Sequence, residues 1–542
     1  MTEPSIPANR TDRRTRQRVL EAATGLLSRQ GLNRNLLEQS AAIAGCSLDR
    51  ARVFFGRDEE LVLALYARFA ADLESYVLEL PAGTIAERFH AVMTTKFTLV
   101  APYREALAAL TATLLDPRHE LGALSPQTEI IRNRVQSVFA AVVQGASDRP
   151  EGAADRLVRT LYGAHLALML LWGQDRSPGT QVAHSSLDLA RDLLGFIAPF
   201  LAMPEALPAA ERLDGIFRPL LDSRDTTELR EQAEAVLRCL FRHRRLLPDA
   251  GTCVTHPCGQ CLALHLPRVK YFLRLGQPIH LLLPAFPAKS PSRRKTLGRL
   301  PDQAEEVALL YLEGVCSELR AIYPPGVHIT ICSDGHVFSD LVSVGDEDVT
   351  AYGSEIETMI ERLGCRSLDT FSMADLYEEI DFPAMRQHLV NEYAMTVEQV
   401  EERARRFAHA QSLVNGIHRF LFEEQADLQS GRSRTQIRNE CRDLAYQVVQ
   451  RSDAWGRLLA DCFPTALRLS IHPQHPHGEK IGILLGESDD AWLTPWHGAA
   501  LRTTTGWKLV KRDAAEELGA RLVQRDGMPS HFELVEPPRE PA

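Results

Sequence analysis

Three apolar runs in this sequence each end in a dense group of ionisable side chains. Ile279 to Leu283 leads into Pro284-Ala-Phe286-Pro-Ala-Lys289-Ser290-Pro-Ser292-Arg293-Arg294-Lys295. His328 to Cys332 leads into Ser333-Asp334-Gly335-His336-Val-Phe-Ser339-Asp340, and Leu467 to Ile471 into His472-Pro-Gln474-His475-Pro-His477-Gly-Glu479-Lys480. Any one cluster is equally a solvated loop. Three at the ends of strand-length runs argue for a site, because ligands of open α/β sheets bind outside the carboxyl ends of the strands. The first cluster holds four cations, Lys289, Arg293, Arg294 and Lys295, within seven residues and no acid. With Ser290 it suits a phosphate, Arg acting as a bidentate fork and Lys as a point charge. Lys289 could instead form a Schiff base, although nothing nearby in sequence would depress its pKa. Asp334 or Asp340 could act as a base or orient an amine. Their structural alternatives are turn formation at Asp334-Gly335 and a cap at Asp340.

The elements that must position these clusters alternate in type. Strand-length runs also occur at Ile481 to Leu485 and Phe532 to Val535, and helical segments fall at 226–243, 303–321, 354–362 and 397–424. That alternation predicts an α/β, Rossmann-like domain over 226–542 with a parallel or mixed sheet. Residues 1–202 read differently. Val19, Leu20, Ala23, Leu26 and Leu27 recur at helical spacing, and amphipathic runs follow at 59–79, 84–100, 103–115, 127–145, 151–173 and 184–202 without a convincing strand. A weakly patterned linker at 203–225 joins the two. The expectation is a two-domain chain, all-α and then α/β.

The length of 542 residues exceeds one hydrophobic core, and 45% hydrophobic with 24% charged residues is ordinary globular composition. A net charge of −10 disfavours wholesale coating of nucleic acid. The opening residues lack a signal peptide's apolar core, no apolar stretch is long enough to span a bilayer, and ten scattered cysteines read as free thiols. A cytoplasmic location is expected.

Two resemblances sharpen this. Arg18 to Gly31, the turn Ala44-Gly45-Cys46-Ser47, and Val53-Phe54-Phe55 followed by Glu59-Glu60-Leu61 resemble the tetracycline-repressor (TetR) family, with a helix-turn-helix at about 13–61. The resemblance implies DNA contacts from Arg13, Arg14, Arg50 and Arg52 and a homodimer through the helical domain. The chain departs from that family in three places: Arg52 replaces its usual Tyr, Asp58 its usual phosphate-contacting Lys, and Ser40 an apolar packing residue. DNA binding is therefore weighed equally against a retained dimerising scaffold.

From Leu283 to Asp302, Ser333 to Asp340, Arg468 to Pro473 and Thr494-Pro-Trp496-His497, the chain resembles the isonitrile synthases of the pyoverdine/dityrosine biosynthesis family. The resemblance implies condensation of the α-amine of tyrosine or tryptophan with the C2 ketone of ribulose 5-phosphate, that carbon becoming the isonitrile carbon. It implies no metal or organic cofactor. It suggests an iron- and 2-oxoglutarate-dependent oxygenase as a functional partner, in secondary metabolism. Lys289, Asp334, Asp340, His472 and His497 are then the catalytic candidates. Phe286, Ser290, Arg293, Arg294, Lys295, His336, Lys480 and Trp496 are the substrate-binding candidates, with His336 standing where Arg is more usual. The alternative is a regulator whose C-terminal domain senses an amino acid or sugar phosphate.

Metal readings are set aside at this stage. Cys253, Cys258, Cys261 and His265 miss the usual zinc spacings, and prolines splay His472, His475 and His477. Trp455, Trp492 and Trp507 read as core.

Overall fold

The computed structural model describes residues 10–534 except 32–34, 117, 150–153, most of 202–226, 249–250, 378–380, 429–430 and 432. Most of the expected linker at 203–225 lies outside the described residues.

The first half is helical. Helices α1 (Arg10–Gln30), α2 (Leu36–Ile43), α3 (Leu48–Arg52), α4 (Asp58–Tyr76), α5 (Ile85–Val100), α6 (Glu129–Gln144), α7 (Ala154–Gln174) and α8 (Gln181–Leu201) surround one apolar core that includes Val19, Leu27, Phe55, Phe89 and Phe139. Local chemistry sets their starts. Thr84 and Glu87 form a capping box at α5, and Ser47 caps α3 by accepting from the Arg50 amide. Asp58 has a structural task within the helical half. Its carboxylate accepts from the amides of Leu36 and Leu37 at 3.1 and 2.8 Å, closing the start of α2. Ser40 is fully buried and satisfied, its hydroxyl donating to the Leu36 carbonyl at 2.6 Å. An apolar cavity of 160 Å³ lies among Leu107, Leu114, Leu166, Met169 and Trp172.

The second half is α/β. Strands β1 (Ile279–Pro284), β2 (Val327–Ser333), β3 (Leu368–Ser372), β4 (Leu467–Ser470) and β5 (Lys480–Gly482) form a parallel sheet in the order β3-β2-β1-β4-β5. Strand order reverses beside β1, which opens a crevice at the carboxyl edge between β1 and β4. Leu281, Leu283, Ile329 and Leu469 face one apolar layer beneath α9 (Thr227–Phe241), α10 (Leu266–Leu275), α11 (Gln303–Ile322) and α12 (Asp346–Leu363). Leu282, Cys332 and Phe371 face the other, with Trp455 and Leu458. Those two lie on the 29-residue helix α16 (Arg434–Cys462), which follows α13 (Phe382–Tyr393), α14 (Val397–Arg406) and α15 (Ala408–Leu428). A four-stranded sheet, β7-β6-β9-β8, closes the chain: β6 (Ala499–Arg502), β7 (Trp507–Val510), β8 (Arg521–Arg525) and β9 (Met528–Glu533). Neither this sheet, apart from β9, nor β3 and α16 was evident from periodicity.

The halves are joined through buried charge. Glu74 of α4 is fully buried and accepts from Arg134 at 3.1 and 2.9 Å and from Arg268 of α10 at 2.9 and 2.6 Å. Glu21 accepts from Tyr377 and Tyr393, each at 3.1 Å, and bonds His388 at 3.1 Å. Arg14, expected to reach DNA, instead donates to the carbonyls of Asp375 and Ala374 at 3.0 and 2.8 Å, and Arg16 donates to that of Asp461 at 3.2 Å. A buried guanidinium bonded to protein carbonyls is not free to neutralise a phosphate, so Arg14 belongs to the domain contact. The side chain of Arg13 lies outside the described residues. Arg50 packs over Phe54, 5.4 Å from the ring centroid, and exposed Arg52 lies 3.6 Å from Asp49.

Candidate active site

At the end of β1 the chain turns sharply. Phe286 adopts a φ of 55°, a left-handed conformation that costs a bulky residue about 1–3 kcal/mol and is kept only where surroundings enforce it. Its ring is buried 5.2 Å from Trp496. Ser333 at the end of β2 donates to the Phe286 carbonyl at 3.2 Å. Gly335 permits the close approach, since a Cβ there would meet the Pro287 carbonyl at 2.1 Å. The first and second clusters are thus locked edge to edge. Phe286 and Trp496, expected among the substrate-binding residues, are core residues that brace the loop.

The acid-free appearance of the first cluster is a property of the local sequence only. Lys289 Nζ lies 3.0 Å from Asp302 and 2.9 Å from Glu305, which form the capping box of α11, and donates to the carbonyls of Pro495 and Gly498. Burial disfavours its charge, but the two carboxylates prevail and its pKa stands above the ordinary value. A doubly paired ammonium is a poor nucleophile, so the Schiff-base reading of Lys289 fails; the side chain clamps the segment carrying Trp496 and His497. Ser290 Oγ and Lys295 Nζ both donate to buried Glu424 of α15, each at 2.5 Å. Arg294 turns outward to Asp513 at 3.1 Å, and Arg293 is exposed.

The third cluster lies against the first. His497 bonds Thr494 Oγ1 through Nδ1 at 2.8 Å and sits 4.6 Å from the half-buried Phe420 ring. Burial, then Lys295 and His472, hold its pKa well below the usual histidine range. Burial, then Arg245 and Lys480, push His472 down to about 4. Both imidazoles are neutral at pH 7. His472 Nδ1 is buried and has no hydrogen-bond partner among the described residues. Beside it, Arg245 donates to the carbonyls of Ile471 and Leu493 at 2.6 and 3.2 Å. Burial and the adjacent Arg468 outweigh Glu479 and Asp453 at Lys480, whose pKa is lowered. Trp492, read as core from the sequence, is half-buried 6.0 Å from His472 and is the aromatic surface here.

Asp334 sits at the same edge. Burial raises its carboxyl to about 7, opposed only by its own amide. Asp340 and His336 are committed elsewhere. Arg451 forks onto Asp340 at 2.5 and 2.9 Å. His336 stacks on Phe382 at 3.8 Å and bonds Thr350 of α12 at 3.1 Å. The tertiary structure therefore gathers Ser290, Lys295, His472, Lys480 and His497, while Asp334 stands apart from them at the end of β2 with no charged group acting on its carboxyl. It adds Arg245, Glu424, Phe420 and Trp492, which no local spacing marks; Glu424 sits in a Glu-Glu pair indistinguishable from a solvated helix face. The arrangement offers cations for an anionic substrate, neutral imidazoles for proton acceptance, and a carboxyl that titrates near neutrality.

An open parallel α/β sheet with such a cluster at its switch point defines an enzyme of the doubly wound class. A family model described as pyoverdine/dityrosine biosynthesis protein matches residues 269–523. An L-tryptophan isonitrile synthase of Fischerella ambigua is 46% identical over 314 residues, 58% of this chain and 95% of that protein. An L-tyrosine isonitrile synthase of Pseudomonas aeruginosa is 42% identical over 305 residues, 55% of this chain and 93% of that protein. The crystal structure of the PvcA protein from Pseudomonas aeruginosa superposes with a TM-score of 0.53 at 38% identity, covering 57% of this chain and all of that one. The chain belongs to the pyoverdine/dityrosine biosynthesis family, and its α/β half is an isonitrile synthase. No helix of the described residues is long and apolar enough to cross a membrane.

Proposed function

We propose that the α/β half joins the α-amine of tryptophan or tyrosine to the C2 ketone of ribulose 5-phosphate and releases an isonitrile built on that carbon. The observation that carries this reading is the unpartnered, neutral His472 between two cations, Arg245 and Lys480. The cations suit the phosphate or carboxylate of the substrates, and the free Nδ1 suits proton removal as the amine condenses with the ketone. Trp492 and Phe420 supply aromatic surface, and Asp334 shuttles protons. The relatives named for tryptophan and tyrosine support the aromatic amino acid. The test is mass spectrometry of the full chain incubated with ribulose 5-phosphate and each amino acid. A product gaining one carbon and losing two hydrogens from one of the two is expected. Its absence with both, under conditions where the Pseudomonas enzyme turns over, refutes the reading.

We further propose that the helical half is a TetR-like module turned toward the enzyme and used to pair two chains. Arg14 and Arg16 are spent on the domain contact. Val182, Leu189, Leu193 and Phe196 form an exposed apolar stripe along α8, at 50%, 58%, 49% and 79% exposure. Light scattering should give a dimer that Leu189→Glu with Leu193→Glu dissociates; a wild-type monomer refutes the pairing. Selection from random duplex DNA should recover no palindromic motif.

A further inference from the structure

The cysteines set aside in the sequence meet a histidine from the other end of the domain. Cys253 and Cys258 Sγ are 3.9 Å apart, Cys258 and Cys261 Sγ 3.7 Å, and His477 Nε2 lies 3.5 Å from both Cys253 and Cys258. All four ligand atoms lie within 4.8 Å of one another. We propose that Cys253, Cys258, Cys261 and His477 bind one structural zinc ion.

The distances carry the argument. A tetrahedral zinc with Zn–S near 2.3 Å and Zn–N near 2.0–2.1 Å places its sulfurs about 3.8 Å apart and its nitrogen about 3.5 Å from each sulfur. The two sulfur–sulfur and two nitrogen–sulfur spacings given above match these values. They are far too long for a disulfide, whose sulfurs bond at about 2.05 Å. They are too short for ligands spread over the several irons of an iron–sulfur cluster. The amides of Gln260 and Cys261 point at Cys258 Sγ, which orients a thiolate for a metal. Three thiolates and one neutral imidazole leave the zinc complex at −1, after release of three thiol protons. Arg244, which donates to the Cys253 carbonyl at 2.6 Å, places a positive charge next to it.

His265, the fourth ligand that sequence spacing suggested, is not part of the set; it is buried edge-on against Phe241 at 5.9 Å. The true fourth ligand is over two hundred residues from the cysteines in sequence, on the loop between β4 and β5. Four protein ligands leave no open coordination position, so the ion is structural. It ties the 251–265 segment to the loop that carries His472; the chain just before that segment already meets the loop, the Leu247 amide donating to the Gln474 carbonyl at 3.1 Å.

The full chain, purified without chelator or a metal-affinity step, should contain one zinc per chain by elemental mass spectrometry. Cobalt(II) exchanged into it should show the visible absorption of a tetrahedral thiolate site. Cys253→Ser with Cys261→Ser should drop the metal at least tenfold, and His477→Gln should shift the cobalt bands. His256→Ala, an exposed histidine in the same segment, should leave both readings unchanged. If the variants fail to fold, the wild-type zinc content and cobalt spectrum decide alone. Wild-type protein that holds no stoichiometric zinc after zinc reconstitution, or that shows octahedral cobalt, overturns the proposal. So does a cysteine disulfide among the three, or unchanged zinc in the double variant.

Discussion

Replacing Asp334 with Asn tests the site through stability and activity at once. Burial raises this carboxyl from 3.8 to about 7, with no cation to offset it. In the unfolded chain the carboxylate ionises above its ordinary pKa, while in the folded chain it stays protonated until near neutrality. The folded state therefore binds the extra proton, and stability falls between pH 3.8 and about 7, then levels off. A span of roughly three pH units at about 1.4 kcal/mol each sets an upper bound of about 4 kcal/mol, which water reaching the partly open edge will reduce. Asn fills the same volume without charge. Asp334→Asn should match the wild type in denaturant stability near pH 4 and exceed it by a few kcal/mol at pH 8, most of the gain appearing between pH 5 and 7. The same variant should lose on the order of 10²–10⁴-fold in kcat, and the wild-type pH profile should bend near 7 where the variant's residual activity does not. Chemical denaturation across pH, with isonitrile formation followed by mass spectrometry, measures both. A stability difference independent of pH would show that the carboxyl is not held protonated by burial. Full activity with an unchanged profile would remove Asp334 from the proton-transfer machinery.

Five further outcomes are expected. Glu74→Gln leaves two guanidiniums facing each other in a dry contact and should destabilise the joined halves by about 3–5 kcal/mol, read as a lower denaturation midpoint. Because Glu74 is held near 2, that contact should persist in acid until pH falls well below 4.5, its stability being lost as pH approaches 2. His472→Ala should reduce kcat about 10²-fold or more with the fold intact by circular dichroism, a change in KM alone counting against a proton-transfer role. Borohydride added during turnover should leave no adduct on Lys289, which is clamped by Asp302 and Glu305; a trapped adduct would restore the Schiff-base reading. Fragment 227–542 should fold and keep activity, because both apolar layers of its sheet lie within it and Arg268 and Asp461 return to water instead of being stranded. An inactive but folded fragment would make the helical half part of the catalytic unit.

The sequence by itself determined the division into a helical and an α/β half, strands β1, β2, β4 and β5, and the polar clusters that follow three of them. These are local quantities: apolar period, strand length and turn residues act over a few neighbours and survive any tertiary arrangement. The order and composition of the clusters also carried the family resemblance. Only the tertiary structure decided what each polar residue does. Lys289 and Lys295 looked like unopposed cations, yet one meets acids from the start of α11 and the other meets Glu424, 129 residues away. Arg14 looked like a phosphate contact and is spent on carbonyls of the other half. Phe286 and Trp496 were exchanged for Trp492 and Phe420 as aromatic surface, since which face of a loop is buried depends on what packs over it. The cysteines could not name their fourth partner, because His477 reaches them only through the pairing of β4 with β5. A charge or a thiol takes its role from the nearest opposite charge or ligand in space, and at separations beyond a hundred residues no local pattern encodes that neighbour.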